Sequence, residues 1–417
     1  MRRSGQIGVR RRTPAGKRTA ALAAGFADET VFLRYPQRKS ITIEGWLDIA
    51  HSYAIVNQWQ LLALMRRQDI SVSLKRLPFY DSRWRAEKGL FDEKAEAILG
   101  SIPRAMWDDR SDVTLRISFP FDFSPAPTGR TAVFATLENQ AIRPGQLAKT
   151  SLERFRFLPP AVDFVTPSRW SAEGFYKAGI PVEQVKIVPH GVDVETFHPM
   201  PELRVRIRQA MRIREDDFIF LTVGAMTENK GIDLLFRAFA RVCAKFPHCR
   251  LLLKGCDPLY ESRNLLMNVL SVMPPPERDR VLDRIIYFGS SFQNARMAQL
   301  YQVADIYVSP YRAEGFNLPV LEAAACGIPI ICTAGGPTDD FVSQEFAKTI
   351  ASTKISAYSD GEEIFALEPD FEHLVALMES AVDSVEWRTR AGIAGSSHVA
   401  ERYTWDHAVS GLIQQLF

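Results

Sequence analysis

Residues 217–246 read D-F-I-F-L-T-V-G-A-M-T-E-N-K-G-I-D-L-L-F-R-A-F-A-R-V-C-A-K-F. Asp217–Gly224 predicts a strand and Ile232–Phe246 a helix, joined by a glycine-bounded turn. The run Phe218–Val223 is apolar but for Thr222, which suits a parallel sheet covered by helices on both faces. Moving toward the C-terminus, Arg250–Gly255 and Ile285–Gly289 read as strands and Ala295–Val303 as a helix. They are followed by strand Asp305–Pro310, helix Leu318–Cys326 and strand Ile328–Cys332. Toward the N-terminus the theme repeats. Ile41–Gly45 and Ile70–Leu77 read as strands around a helix at His51–Arg67, and Asp112–Ile117, Thr131–Thr136 and Ala161–Thr166 as further strands. Ser168–Ala178 reads as a helix opened by a serine cap, Val185–Pro189 closes this half, and the proline- and charge-rich His198–Leu203 links the two. Two successive arrays of similar size predict an α/β protein of two doubly wound domains with a cleft between them. In such sheets ligands bind beyond the carboxyl ends of the strands.

The bulk composition agrees. A chain of 417 residues is long enough for about two domains. It is 46% hydrophobic and 24% charged, with 51 basic and 49 acidic residues. That balance excludes the strong basic excess of a dedicated nucleic-acid binder, so no nucleic-acid partner is expected. The five cysteines contain no C-x-x-C pair and read as buried, reduced thiols of a cytoplasmic protein. No stretch has the apolar length of a membrane span. The first 18 residues carry Arg2, Arg3, Arg10, Arg11, Arg12, Lys17 and Arg18 and no acid. Residues 1–28 therefore read as a basic, disordered tail, with peripheral contact to an anionic membrane surface as its functional alternative.

The chemistry concentrates in Arg312–Gly327, R-A-E-G-F-N-L-P-V-L-E-A-A-A-C-G. Glu314 falls on a loop leaving a strand, and Glu322 about one turn inside the next helix. Gly315 allows close backbone approach, and Pro319 suits a first helical turn. The open N–H groups and dipole of that helix start form a site for a diphosphate. A carboxylate one turn further in is better placed to accept hydrogen bonds from ribose hydroxyls than to meet phosphate. In Gly224–Gly231, Lys230 stands at a helix start facing the same strand ends, where a cation can neutralise a departing phosphate.

These residues carry a resemblance. Gly224–Phe239, Ile285–Gly289 and Ala304–Gly336 resemble the donor half of the family-4 retaining glycosyltransferases of the GT-B fold. That half shows Lys-Gly after its first strand and E-G-F-x-L-P-x-x-E-A-x-A-x-G before a later one. Thr166–Asp193 is similar to the segment ending the acceptor domain, and Tyr403-Thr404-Trp405 resembles the last helix, which crosses back to the first domain. The resemblance implies an acceptor-side domain over 29–197, joined by a crossover helix at about 401–417, and a donor domain over 198–400. It implies that Glu322 binds the donor ribose, Lys230 the diphosphate and Glu314 the transferred sugar. Gly224, Gly315, Phe316, Asn317 and Leu318 would surround the donor, and Gly335 and Gly336 would shape a nearby turn.

Three departures stand out. Many relatives carry an arginine directly after the strand glycine; this chain has Ala225, so one diphosphate cation is missing or replaced, with Arg312 as candidate. The glycine-rich loop after the first strand is absent. Gly45-Trp46 and His51-Ser52-Tyr53 stand there instead, resembling a bacterial subgroup with a serine-containing helix start and an asparagine soon after, here Asn57. For the N-domain residue aimed at the sugar, His51, Ser52 and the pair Glu138-Asn139 are the candidates. Glu138 has the strongest claim because a charged residue just beyond a strand end faces the cleft, whereas His190 reads as part of the interdomain hinge.

The resemblance thus implies sugar transfer from a UDP-, GDP- or ADP-sugar to an acceptor hydroxyl, with retention, in polysaccharide, glycolipid or other glycoconjugate synthesis. No metal or other cofactor is expected; the sequence offers no Asp-x-Asp or histidine cluster. The acceptor, whether saccharide, lipid-linked or small molecule, is left open. The alternatives are a catalytically silent nucleotide-binding scaffold, a GT-B sugar-nucleotide epimerase, and a phosphorylase, which would need a lysine-bound cofactor. NAD-linked chemistry is disfavoured because the first strand lacks G-x-G-x-x-G.

Overall fold

The first strand, β1 (Lys39–Gly45), buries Ile41 and Ile43 and pairs in parallel with two neighbours. One is β2 (Ile70–Arg76), reached through α1 (Ser52–Met65). The other is β3 (Val113–Ile117), reached after α2 (Glu93–Ser101). β4 (Arg130–Phe134), β5 (Val162–Thr166), α3 (Arg169–Lys177) and β6 (Val185–Ile187) complete a parallel sheet of order β2-β1-β3-β4-β5-β6. The Ser168 hydroxyl accepts the Ser171 N–H at 3.1 Å and caps α3, as expected. The computed structural model describes residues 38–106, 109–127, 129–148 and 162–417. Within it Lys39–Phe417 is one unit holding both sheets. The basic stretch 1–28 and its membrane contact lie outside the described residues.

After α4 (Pro201–Ala210) the second lobe runs β7 (Phe218–Val223), α5 (Ile232–Lys245), β8 (Cys249–Lys254), α6 (Asp257–Tyr260), α7 (Ser262–Ser271), α8 (Pro275–Leu282) and β9 (Ile285–Phe288). It continues with α9 (Asn294–Val303), β10 (Ile306–Ser309), α10 (Leu318–Ala325), β11 (Ile330–Thr333) and β12 (Ala347–Ile350). The order β12-β11-β10-β7-β8-β9 is parallel throughout. Phe218–Leu221 is buried on both faces, which accounts for the apolar run, and the Thr222 hydroxyl that follows donates to the Val308 carbonyl at 2.7 Å. In each sheet the strand order reverses once, between β1 and β3 and between β7 and β10, so each lobe opens a crevice at its strands' carboxyl ends.

Two elements tie the lobes together. After α11 (Phe371–Asp383) and α12 (Val385–Arg402), helix α13 (Trp405–Leu416) returns to the first lobe. Trp405 stacks on Trp59 of α1 with ring centroids 6.5 Å apart, and Asp406 pairs with Arg66 at 2.6 Å. The second tie is an antiparallel hairpin, β13 (Ser352–Ser359) and β14 (Glu362–Pro369). Its Phe365 exchanges two hydrogen bonds with Asn139, N–H to carbonyl at 2.9 Å and side-chain Nδ2 to carbonyl at 3.2 Å. Lys177 lies 3.4 Å from the Phe365 ring centroid. All five cysteines are free, and no helix among the described residues is long and apolar enough to cross a membrane.

Candidate functional site

A cavity of about 490 Å³ opens where the carboxyl ends of the two sheets meet. From the second lobe it takes Gly224 after β7, Lys230 at the start of α5, Lys254 at the end of β8, and Glu314–Pro319 with Glu322 after β10. From the first it takes Ser52 and Tyr53 at the start of α1, Thr136 and Glu138 after β4, and His190 after β6.

Lys230 is aimed by local backbone geometry. Residues 228–230 form a single 3-10 turn that ends on Gly231, whose φ of 68° lies in the left-handed region. A Cβ there would stand 1.9 Å from the Pro310 carbonyl oxygen, so only glycine lets this turn pack under β10. The turn lays the Lys230 chain across Gly224, and its ammonium pairs with Glu314. Asn229 locks the turn in place: its carbonyl accepts the Arg312 N–H at 2.7 Å, and its Nδ2 reaches the Glu138 carboxylate of the other lobe at 3.3 Å. Burial by itself would lower the Lys230 pKa, but Glu314 and Glu138 outweigh it and hold the ammonium above its usual range. Burial and the Glu314 charge push the Glu138 carboxyl up to about 7, against the pull of Lys230.

Glu322 lies on α10, where Asn317 caps the helix with a left-handed φ of 74° and donates through Nδ2 to Ser309 Oγ at 2.9 Å. The Tyr301 hydroxyl donates to the Glu322 carboxylate at 2.7 Å. Burial nevertheless raises this carboxyl to about 7. It faces the cavity at the open start of α10, with one carboxylate edge engaged by Tyr301.

The structure therefore brings Glu314, Lys230, Glu138, Glu322, Gly315, Phe316, Asn317, Leu318, Gly224 and Ser52 to one cavity. It does not bring three other candidates there. Arg312, proposed to replace the missing cation, is clamped by Asp233 at 2.6 and 2.9 Å and by Glu368 at 3.0 Å, and does not line the cavity. Its bidentate partner satisfies the guanidinium away from the strand ends. His51 caps α1, its Nδ1 accepting the Tyr53 N–H at 3.2 Å. Its ring packs between Trp46 and Trp84, and burial pushes its pKa down to about 4. Asn139 is held by the hairpin at Phe365. Gly315 does line the cavity, but what approaches it most closely is the first lobe. A Cβ there would stand 2.6 Å from the Thr136 side chain, and Ser168 donates to its carbonyl at 2.7 Å. Phe316 packs on His190 and Phe341. Asn57 is buried and donates to the Trp46 carbonyl at 2.9 Å, fixing the turn after β1. His190 sits where the chain passes beside Tyr403, next to the Val192 N–H bond to the Tyr403 carbonyl at 2.7 Å. Burial pushes its pKa down to about 3, so its ring is neutral.

Thr136, Tyr260, Phe292 and Lys254 line the cavity without having been singled out in the sequence. The signal that could have found Lys254 is a lysine ending the apolar strand L-L-L-K. Among the described residues no three histidine, cysteine, aspartate or glutamate side chains group as metal ligands.

Comparison with known proteins agrees with this geometry. Residues 204–373 match the family model of glycosyl transferases group 1. The match runs from within α4 to the start of α11 and so takes in most of the second lobe. The chain is 25% identical over 254 residues to a GDP-mannose-dependent α-(1-6)-phosphatidylinositol monomannoside mannosyltransferase of Mycolicibacterium smegmatis, covering 58% of this chain and 63% of that one. It is 26% identical over 231 residues to a D-inositol 3-phosphate glycosyltransferase of Segniliparus rotundus, covering 55% and 46%. The chain thus spans between about half and two thirds of the length of these curated relatives. Among solved structures, a sucrose-phosphate synthase of Thermosynechococcus elongatus superposes with a TM-score of 0.65 at 17% identity, covering 90% of this chain and 98% of that one. The HepE protein of Anabaena, solved with UDP and glucose, gives 0.62 at 14% identity, covering 91% and 99%. The likeness to these two structures is one of fold, and the fold is GT-B: two Rossmann-like lobes across a cleft, with Lys230, Glu314 and Glu322 all within the residues that match the family model.

Proposed function

We propose that this chain is a retaining, metal-independent glycosyltransferase that moves a sugar from a nucleoside diphosphate to an acceptor hydroxyl. The observation that carries this reading is the convergence of Lys230, Glu314 and Glu322 on one cavity at the strand-order reversal of the second sheet, opposite Glu138. In this reading the diphosphate lies against Gly224 and the Leu318 N–H at the start of α10, where Pro319 has no N–H and that of Val320 is taken by the Asn317 carbonyl at 3.0 Å, and Glu322 accepts from the ribose hydroxyls. Lys230 turns from Glu314 to the departing phosphate, and the freed Glu314 faces the sugar. The bond from the anomeric carbon to the phosphate oxygen breaks as the bond to the acceptor oxygen forms on the same face, and the acceptor proton passes to the leaving diphosphate. Glu138 orients the sugar from the acceptor lobe, and closure of the lobes excludes water.

Relatives named for phosphatidylinositol mannosides and for inositol 3-phosphate keep both lipid-linked and small acceptors in view. Action on the cytoplasmic side, with basic residues 2–18 drawn to anionic lipid, belongs to the same proposal; salt-sensitive co-sedimentation with anionic vesicles is its mark.

The test is calorimetric titration of UDP, GDP and ADP into the wild type, Glu322→Ala and Lys230→Ala, followed by nucleotide release from the sugar conjugates of whichever binds. One nucleotide should bind, at least about tenfold more weakly in each variant, or ~1.4 kcal/mol, and its sugar conjugate should turn over. Binding indifferent to both substitutions overturns the site. Binding without turnover of any conjugate leaves the silent scaffold instead.

A further inference from the structure

Lys254 ends β8 directly beside Val223, and its backbone carbonyl accepts the Gly224 N–H at 3.0 Å. Its side chain is only 6% exposed yet lines the cavity. The ammonium donates to the Gly255 carbonyl at 2.6 Å and lies 5.0 Å from the Phe292 ring centroid. Among the described residues no carboxylate comes within ion-pair distance of it. The nearby acids are otherwise placed: Asp257 accepts from the Tyr287 hydroxyl and from the Arg263 N–H at 2.9 Å. Glu87 acts on the ammonium only at longer range, and burial lowers the Lys254 pKa despite both acids. The contrast with Lys230, whose charge is already matched by Glu314, is sharp.

A buried ammonium held by one carbonyl and the face of one ring, with no carboxylate beside it, is an expensive arrangement. An unpaired charge in such a setting weighs against the folded state unless an anion completes it. Beside it, Ala225 offers no charge, and its carbonyl is engaged by Ser262 Oγ at 3.1 Å. Two cations, Lys230 in the turn before α5 with its chain laid across Gly224 and Lys254 at the end of β8, one paired and one not, leave room for an anion that bridges them over Gly224.

We propose that Lys254 is the second cation of the diphosphate site, supplying from the end of β8 the charge that Ala225 lacks. This rests on the reading of the cleft as a nucleoside-diphosphate site and adds a residue to it. In the free protein Lys254 waits on the Gly255 carbonyl; when the donor enters, its ammonium closes on the diphosphate from the side opposite Lys230.

The experiment titrates UDP, GDP and ADP, and separately inorganic pyrophosphate, into the wild type, Lys254→Met, Lys254→Arg and Glu322→Ala, with the thermal midpoint of each unliganded protein as a folding control. Pyrophosphate reads the phosphate subsite without base or ribose. Lys254→Met should weaken both the nucleotide that binds and pyrophosphate at least tenfold, while its unliganded midpoint equals or exceeds that of the wild type because an unmatched buried charge is gone. Lys254→Arg should restore most of the affinity, and Glu322→Ala should weaken the nucleotide alone. If Lys254→Met binds both probes as the wild type does, or loses the nucleotide but keeps pyrophosphate, the inference is overturned while the donor site stands. If the wild type binds no nucleotide and no pyrophosphate, the donor site and this inference fall together.

Discussion

At the scale of single residues, Glu322 is a carboxyl whose surroundings favour its neutral form although its proposed role uses the ionised one. Burial raises it to about 7, and one hydrogen bond from Tyr301 does not offset that. A folded-state pKa above the unfolded value means that the native protein binds more protons between about 4.5 and 7. The contribution of Glu322 to stability therefore falls as pH rises through that window. Glu322→Gln removes the ionisation, so its stability relative to the wild type should be greater at pH 8 than at pH 5.5, by on the order of 1–3 kcal/mol. Urea unfolding at both pH values checks this; a difference independent of pH would mean that the carboxyl is solvated. Ribose hydroxyls would satisfy the free edge of the same carboxylate, which is how a group that costs stability becomes a binding group.

At the scale of elements, the site depends on how two helices begin and how a third ends the chain. Gly231 and Asn317, both with left-handed backbones, turn the chain so that α5 and α10 start at the cavity rim. Helix α13 begins close behind the cavity, its Trp405 ring centroid 5.9 Å from that of His190. The Thr404 hydroxyl accepts the His407 N–H at 3.3 Å, and His407 answers in a reciprocal capping pair. Because α13 packs on α1 through Trp405 and Trp59, its start is also a junction between lobes. Thr404→Ala should cost about 1 kcal/mol in chemical unfolding. An unchanged midpoint would show that the cap is not formed in solution.

At the scale of the whole molecule, the lobes touch along a seam that includes the loop after β10. Gly315 meets Thr136 so closely that a Cβ would fall 2.6 Å from the threonine Cβ. Its φ is not in the left-handed region, so the constraint is contact rather than backbone strain. Gly315→Ala should cost about 1–3 kcal/mol by overpacking, and most of that cost should vanish in a Thr136→Gly background. A double-mutant cycle in urea gives the coupling; strictly additive effects would mean that the lobes stand apart at this point in solution. The hairpin β13–β14 belongs to the same seam, with Phe365 held by Asn139 and Lys177 of the first lobe.

The alternation of apolar strands and helices determined the α/β class and the two sheets, because a strand buried on both faces is apolar along its length, as Phe218–Leu221 is. The spacing of Glu314 and Glu322 around Pro319 likewise put one carboxylate on a loop and the other inside a helix, since that follows from local backbone geometry alone. What depended on residues distant in the chain was decided only by the tertiary structure. Arg312 was drawn from the cleft to Asp233 and Glu368, 79 and 56 positions away. His51 became a helix cap walled in by Trp46 and Trp84, and Asn139 was taken by a hairpin whose half-exposed strands carry little hydrophobic signal. Lys254 looked like an ordinary strand-end lysine until the fold buried it beside Gly224 without a carboxylate. Local periodicity and turn chemistry are written in neighbouring residues; which charges find partners is written only in the contacts that folding makes.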